Sequence, residues 1–120
     1  MINVAIVEDS EKDAEKLADF VRRVLNEAGR QCLITSFKTS VSFLEGYRAN
    51  YEFVFMDIEL PDIDGMEAAK RLRAADSDVI LIFVTNMAQF AVNGYAVDAM
   101  DFMVKPVSYD NLKLKMSRAL

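Results

Sequence analysis

The sequence predicts a doubly wound α/β domain, with five parallel strands in one sheet and residues 1–120 forming a single unit. Two observations carry this. Five short runs of β-branched and aromatic residues alternate with stretches of helical period, and no repeat, linker or low-complexity segment interrupts them. The runs are apolar on both faces, as parallel strands covered by helices on each side must be.

"NVAIVE" (3 to 8) reads as the first strand. From Ser10, the residues Ala14, Leu17, Ala18, Val21, Leu25 and Ala28 make a helical stripe that stops at Gly29. Ser10 with Asp13 three residues on has the form of a capping box. "CLITSF" (32 to 37) is the second strand. A short helix starts near Thr39 or Ser40 and carries Val41, Phe43, Leu44 and Tyr47. "FVFMD" (53 to 57) is the third strand. A third helix follows Asp64, with Asp64 and Glu67 as a cap pair and Met66, Ala69 and Leu72 facing in. "VILIFVT" (79 to 85) is the fourth strand, and a fourth helix runs from about Met87 toward Gly94. "DFMVK" (101 to 105) is the fifth strand. The last helix opens at Ser108 and buries Leu112, Met116 and Leu120. This is the flavodoxin-like (βα)5 order.

Composition narrows the function. The chain is 52% hydrophobic and 28% charged, enough apolar material for a core. A net charge of −5 argues against direct nucleic-acid binding through a general basic surface. The absence of histidine removes Ser-His and Cys-His catalysis and histidine-based metal sites. The single cysteine, Cys32, cannot form an internal disulfide, fits a cytoplasmic location and reads as a buried structural thiol. No signal peptide is expected from "MINVAIVEDS". The uncharged stretch "VILIFVTNMAQFAVNGYAV" (79 to 97) is broken by Thr85, Asn86, Gln89, Asn93 and Gly94, so it reads as a strand followed by an uncharged helix and not as a membrane span.

In doubly wound sheets, ligands bind at the carboxyl ends of the strands, near the point where strand order reverses. Those ends carry Glu8 and Asp9, then Asp57, Thr85 and Lys105. Three converging carboxylates repel one another unless a cation sits among them. Mg²⁺, with Mn²⁺ as a substitute, is the hard cation that accepts few protein carboxylates and keeps its waters. A carboxylate can also attack phosphorus to give an aspartyl phosphate. Lys105 and Thr85 would then donate to phosphoryl oxygens. Asp62 reads as a turn cap, and Asp64 as a turn cap or the cap of the third helix. The isomer of the Lys105-Pro106 bond is open at this level.

The motifs "VED" (7 to 9), "FMDIELPDIDGME" (55 to 67), "FVT" (83 to 85) and "DFMVKP" (101 to 106) together resemble a response-regulator receiver domain of bacterial two-component signalling, over essentially the whole chain. The resemblance implies phosphorylation of Asp57 by a sensor histidine kinase. It implies Mg²⁺ held by Asp9, Asp57 and the backbone carbonyl of Glu59, with Glu8 acting through water. It assigns Thr85 and Phe102 to a switch between states. "NGYAVDAMDFMVKP" is similar to regulators of the LytR/AlgR type, which carry a LytTR DNA-binding output domain; here such a domain would lie outside this chain. Two residues depart from the family pattern: Asn86 stands where a small alanine is common, and Glu59 lies two residues past the acceptor. Both bear on phosphoryl lifetime.

The enzyme alternative is a phosphatase of the haloacid-dehalogenase type, with Asp57 as nucleophile and Glu59 as general acid. That nucleophile normally ends a first strand, whereas Asp57 ends the third. The uncharged fourth helix, with Met87, Ala88, Phe90, Ala91 and Val92 against only Gln89 and Asn93, suggests that its face, with the fifth strand and last helix, docks a partner or a second copy upon phosphorylation.

Overall fold

Five strands, β1 (Ile2–Val7), β2 (Cys32–Phe37), β3 (Phe53–Met56), β4 (Ile80–Thr85) and β5 (Asp101–Val104), form one parallel sheet in the order β2-β1-β3-β4-β5. The computed structural model describes the backbone of residues 1–120 and all side chains except those of Val92, Asn93, Gly94 and Tyr95. Strand order reverses between β1 and β3, which pair with Val7 opposite Met56. A crevice therefore opens where Glu8 and Asp57 leave the sheet.

The helices begin where a side-chain oxygen takes up free backbone N–H groups. In α1 (Glu11–Glu27), Ser10 Oγ accepts from the Asp13 N–H at 3.3 Å. The capping box expected here is only half made: the Ser10 N–H donates to Glu8 Oε2 at 3.0 Å, and the Asp13 carboxylate is engaged elsewhere. At the other end the chain turns at Gly29, whose φ of +72° lies in the left-handed region. The Arg30 N–H then reaches Leu25 O at 2.8 Å and the Gly29 N–H reaches Asn26 O at 3.0 Å, which closes the helix. Thr39 caps α2 (Ser40–Glu45), helped by Asp62, whose carboxylate accepts from the N–H groups of Ser40 and Val41 at 3.1 and 2.9 Å. Asp64 caps α3 (Gly65–Ala75) through the Glu67 N–H at 2.9 Å, and Ser108 caps α4 (Tyr109–Ser117) through the Asn111 N–H at 3.0 Å.

The sheet separates two cores. Val4, Ile6, Phe53, Phe55, Ile82, Val84 and Met103 pack under α1 and α4. Ala5, Val7, Val54, Met56, Leu81 and Phe83 pack under α2, α3 and the segment after β4. Strand alternation produces this division, since successive side chains point to opposite faces.

Four expectations are corrected. Only β1, β3 and β4 are apolar on both faces; β2 and β5 are sheet edges, and Leu33 and Val104 are exposed. Cys32, on edge strand β2, is accordingly half-buried. Leu120 lies beyond the end of α4 and is exposed, whereas Leu112 and Met116 are buried as expected. The fourth helix is a 3₁₀ helix, Ala88–Val97. Met87 and Phe90 pack partly inward, while Ala88, Gln89 and Ala91 are exposed. The expectations placed on Val92 and Asn93 concern side chains outside the described residues. Among the described residues, no helix is long and apolar enough to cross a membrane.

Candidate functional site

Alternation also decides which side chains meet. Glu8 continues the row Val4, Ile6; Asp57 continues Phe53, Phe55; Lys105 continues Met103. All three rows lie on the α1/α4 face. Thr85 instead continues the row Leu81, Phe83, on the face of α3 and the 3₁₀ helix, where Phe102 also packs. The predicted residues thus divide into two groups on opposite sides of the sheet.

The first group is tightly bonded. The Lys105 ammonium donates to Glu8 Oε1, to Asp57 Oδ2 at 2.9 Å and to Asp13 Oδ2 at 2.9 Å. The side chains of Lys105, Glu8 and Asp57 are 12%, 6% and 5% exposed. The Lys105-Pro106 peptide is cis, and the Lys105 N–H donates to Thr85 O at 2.9 Å. Burial alone would pull the Lys105 pKa down, but its bonds to Glu8, Asp57 and Asp13 hold it above its usual value. Burial pushes the Glu8 carboxyl up to about 7, with the nearby Asp57 charge adding to this, against the lowering effect of the bonds from Lys105 and Ser10.

Glu8, Asp9 and Asp57 each bring a carboxylate oxygen within 4.8 Å of the others. The donors are all oxygen, one from an exposed residue and two from buried ones. This set fits a hard divalent cation such as Mg²⁺ and does not suit a soft metal. Glu59 is exposed, and its N–H donates to Asp57 Oδ1 at 3.2 Å, which orients the carboxylate.

The second group surrounds Thr85, which is fully buried. Its Oγ1 accepts from the Met87 N–H at 3.2 Å, and its hydroxyl proton is engaged by no bond among the described residues. Phe102 is half-buried, with its ring 5.7 Å from that of Phe83. Asn86 is exposed and lines a cavity of about 280 Å³ beside Glu8 and Lys105.

Two residues escaped the sequence reading. The spacing makes Asp13 a cap partner only, whereas the structure makes it the third carboxylate on Lys105. The signal for it was the face: α1 covers the row that Glu8, Asp57 and Lys105 continue, and its first turn lies over their strand ends. Gly65 carries no expectation of its own in the sequence. A Cβ there would overlap the carbonyl oxygen of Asp57, so α3 can begin against the Asp57 backbone only with glycine.

Comparison with known proteins agrees with this geometry. The family described as "Response regulator receiver domain" matches residues 4–117. The chain is 31% identical to the "Sensory transduction protein LytT" of Oceanobacillus iheyensis, over 98% of this chain and 47% of that protein. It is 32% identical to the "Transcriptional regulatory protein NatR" of Bacillus subtilis, over 100% of this chain and 50% of that protein. It therefore spans about half the length of these relatives. Among solved structures, the response regulatory domain of mrkE from Klebsiella pneumoniae superposes with a TM-score of 0.81 at 22% identity, covering 98% of this chain and 93% of that one, and so shares the fold. The phosphatase alternative finds no support in any of these. The chain belongs to the family of response regulator receiver domains.

Proposed function

We propose that residues 1–120 act as one receiver unit in which Asp57 takes a phosphoryl group from the phosphohistidine of a sensor histidine kinase. An Asp57 carboxylate oxygen attacks phosphorus, the N–P bond breaks, and the leaving imidazole nitrogen takes a proton from water. Asp9, Asp57 and the main-chain carbonyl of Glu59, with Glu8 through a water, would hold Mg²⁺, or Mn²⁺ in its place, which would supply neutralising charge at the phosphoryl oxygens. The chain catalyses its own phosphorylation and dephosphorylation and no other turnover.

This chain's own residues do the rest. Lys105 moves one N–H from a carboxylate to a phosphoryl oxygen. Thr85 donates its unengaged hydroxyl proton to another. Phe102, on the face that Thr85 shares, turns inward when Thr85 moves, which alters the surface of the 3₁₀ helix, β5 and α4. That surface controls an output domain outside this chain, or a second copy of the chain. The names of the relatives support a transcriptional output, and the LytTR type of DNA-binding domain suits the "NGYAVDAMDFMVKP" stretch. The kinase and the output are cytoplasmic partners in this reading.

The observation that carries the proposal is the Lys105 ammonium, bonded to both Asp57 and Glu8 beside three clustered carboxylates. Incubation with acetyl phosphate and Mg²⁺ should add about 80 Da, one phosphoryl group. Asp57→Asn should abolish the adduct and leave the fold intact. Full labelling of that variant would move the acceptor elsewhere.

A further inference from the structure

The loop from Ile58 to Asp64 leads from Asp57 to α3 and carries Glu59, whose main-chain carbonyl is a metal ligand in the reading above. The Glu59 N–H donates to Asp57 Oδ1 at 3.2 Å, and the Leu60 and Gly65 N–H groups donate to Ile58 O at 3.0 and 2.9 Å. The Glu59 carbonyl oxygen accepts no hydrogen bond among the described residues. Its direction is therefore set by how the chain on either side of it is held.

On one side the holder is Asp57. On the other it is α2, a separate element. The Asp62 carboxylate accepts from the Ser40 N–H at 3.1 Å and the Val41 N–H at 2.9 Å. Ser40, fully buried, donates from Oγ to Ile63 O at 2.6 Å. Pro61 joins this anchor to Glu59 with little slack, because its ring fixes its own φ and restricts the backbone of Leu60 before it. The anchor is itself firm: just beyond the far end of α2, the Tyr47 hydroxyl donates to Asp76 Oδ2 at 2.6 Å. Thr39 also caps α2, through the Ser42 N–H at 3.1 Å, and its side chain makes no hydrogen bond to the loop among the described residues. One cap thus serves the helix alone, whereas Asp62 couples the helix to the loop.

We infer that Asp62 is a positioning residue for the divalent cation: by gripping α2 it keeps the Glu59 carbonyl in place for a cation held by Asp9 and Asp57. This rests on the metal reading proposed above. Without the grip, residues 59 to 63 gain conformational freedom that metal binding must take back, and affinity falls.

The test is Mg²⁺ titration of wild type, Asp62→Ala, Asp62→Asn and Thr39→Ala, followed by the ¹³C signals of the Glu59 main-chain carbonyl and the Asp57 carboxylate. In wild type both signals should move. Asp62→Ala should bind Mg²⁺ about tenfold more weakly, the lower end of the loss seen for groups that orient metal ligands. Asp62→Asn loses the same charge but keeps an acceptor for α2, so it should bind more tightly than Asp62→Ala. Thr39→Ala weakens α2 without releasing the loop and should match wild type. Equal affinity in wild type and Asp62→Ala would overturn the inference. So would equal affinity in the two Asp62 variants, which would reduce the effect to net charge, or a loss in Thr39→Ala as large as in Asp62→Ala, which would reduce it to helix stability. A wild-type Asp57 signal that moves while Glu59 stays still would also overturn it. If neither wild-type signal moves, the metal reading fails and the inference fails with it; if both move and Asp62→Ala binds as wild type does, the positioning role alone fails.

Discussion

Glu8 shows how a single buried acid couples the site to pH. Its pKa in the folded chain, about 7, lies above the ordinary 4.5. The metal-free fold therefore holds this proton more tightly than the unfolded chain does. The resulting stabilisation is complete below the ordinary value and is lost as pH rises through about 7. A divalent cation competes with that proton, so Mg²⁺ affinity should climb between about pH 6 and about pH 8. Calorimetric Mg²⁺ titrations across that range test this, with Glu8→Gln expected to flatten the profile; a wild-type affinity independent of pH would contradict it. Glu8, Asp9, Asp57, Thr85 and Lys105 were legible because each stands directly after, or at the end of, a run that could only be a strand. Asp13 was not legible, because helix-cap spacing explained it completely. Gly65 was hidden for a different reason: its role is the absence of a side chain, and no pattern of side chains reports that.

Among the elements, the 3₁₀ helix is held at its end by a side chain of another element. Arg73 of α3 donates to Val97 O at 2.6 Å and Asp98 O at 2.9 Å at the end of that helix, and to Val79 O at 2.7 Å at the start of β4. Tyr47 meanwhile donates to Asp76 Oδ2 at 2.6 Å and ties α2 to the end of α3. Arg73→Ala should cost about 1.5–3 kcal/mol, the worth of hydrogen bonds from a charged group. The loss should be local. Hydrogen exchange should accelerate over residues 88 to 98 and stay slow in β1 and β3; uniform acceleration would show that Arg73 supports the whole fold instead. The element itself was legible, its helix type was not. A period of 3.0 and one of 3.6 differ little over eight residues, and the segment has no capping side chain to fix a first turn. Its early bonds are short-range, Ala88 N–H to Asn86 O at 3.1 Å and Phe90 N–H to Met87 O at 3.0 Å. The cap that Asp62 places on α2 was equally out of reach, since its partners lie 21 and 22 residues away.

On the surface of the whole molecule, β5 and α4 each expose a large apolar side chain. Val104 on β5 and Leu114 on α4 are 49% and 57% exposed, and the neighbouring Ala88, Gln89 and Ala91 carry no charge. Beryllofluoride with Mg²⁺ should therefore raise the sedimenting mass toward that of a dimer. Leu114→Asp should prevent this while leaving phosphorylation of Asp57 unchanged. An unaltered mass in the wild type would remove self-association from the account. The alternating strand pattern made the doubly wound sheet readable from sequence, whereas the strand order that leaves β2 and β5 at the edges, and so exposes Leu33 and Val104, became visible only in three dimensions. The reactive row and the row of Thr85 and Phe102 lie on opposite faces and share no core residue. They meet at one main-chain bond, the Lys105 N–H donating to Thr85 O at 2.9 Å, and substitutions within one bonded network do not add independently. Descendants of such a chain can redraw the outer surface of either face to suit new partners, whereas Thr85 and Lys105, on the two sides of that bond, are inherited together.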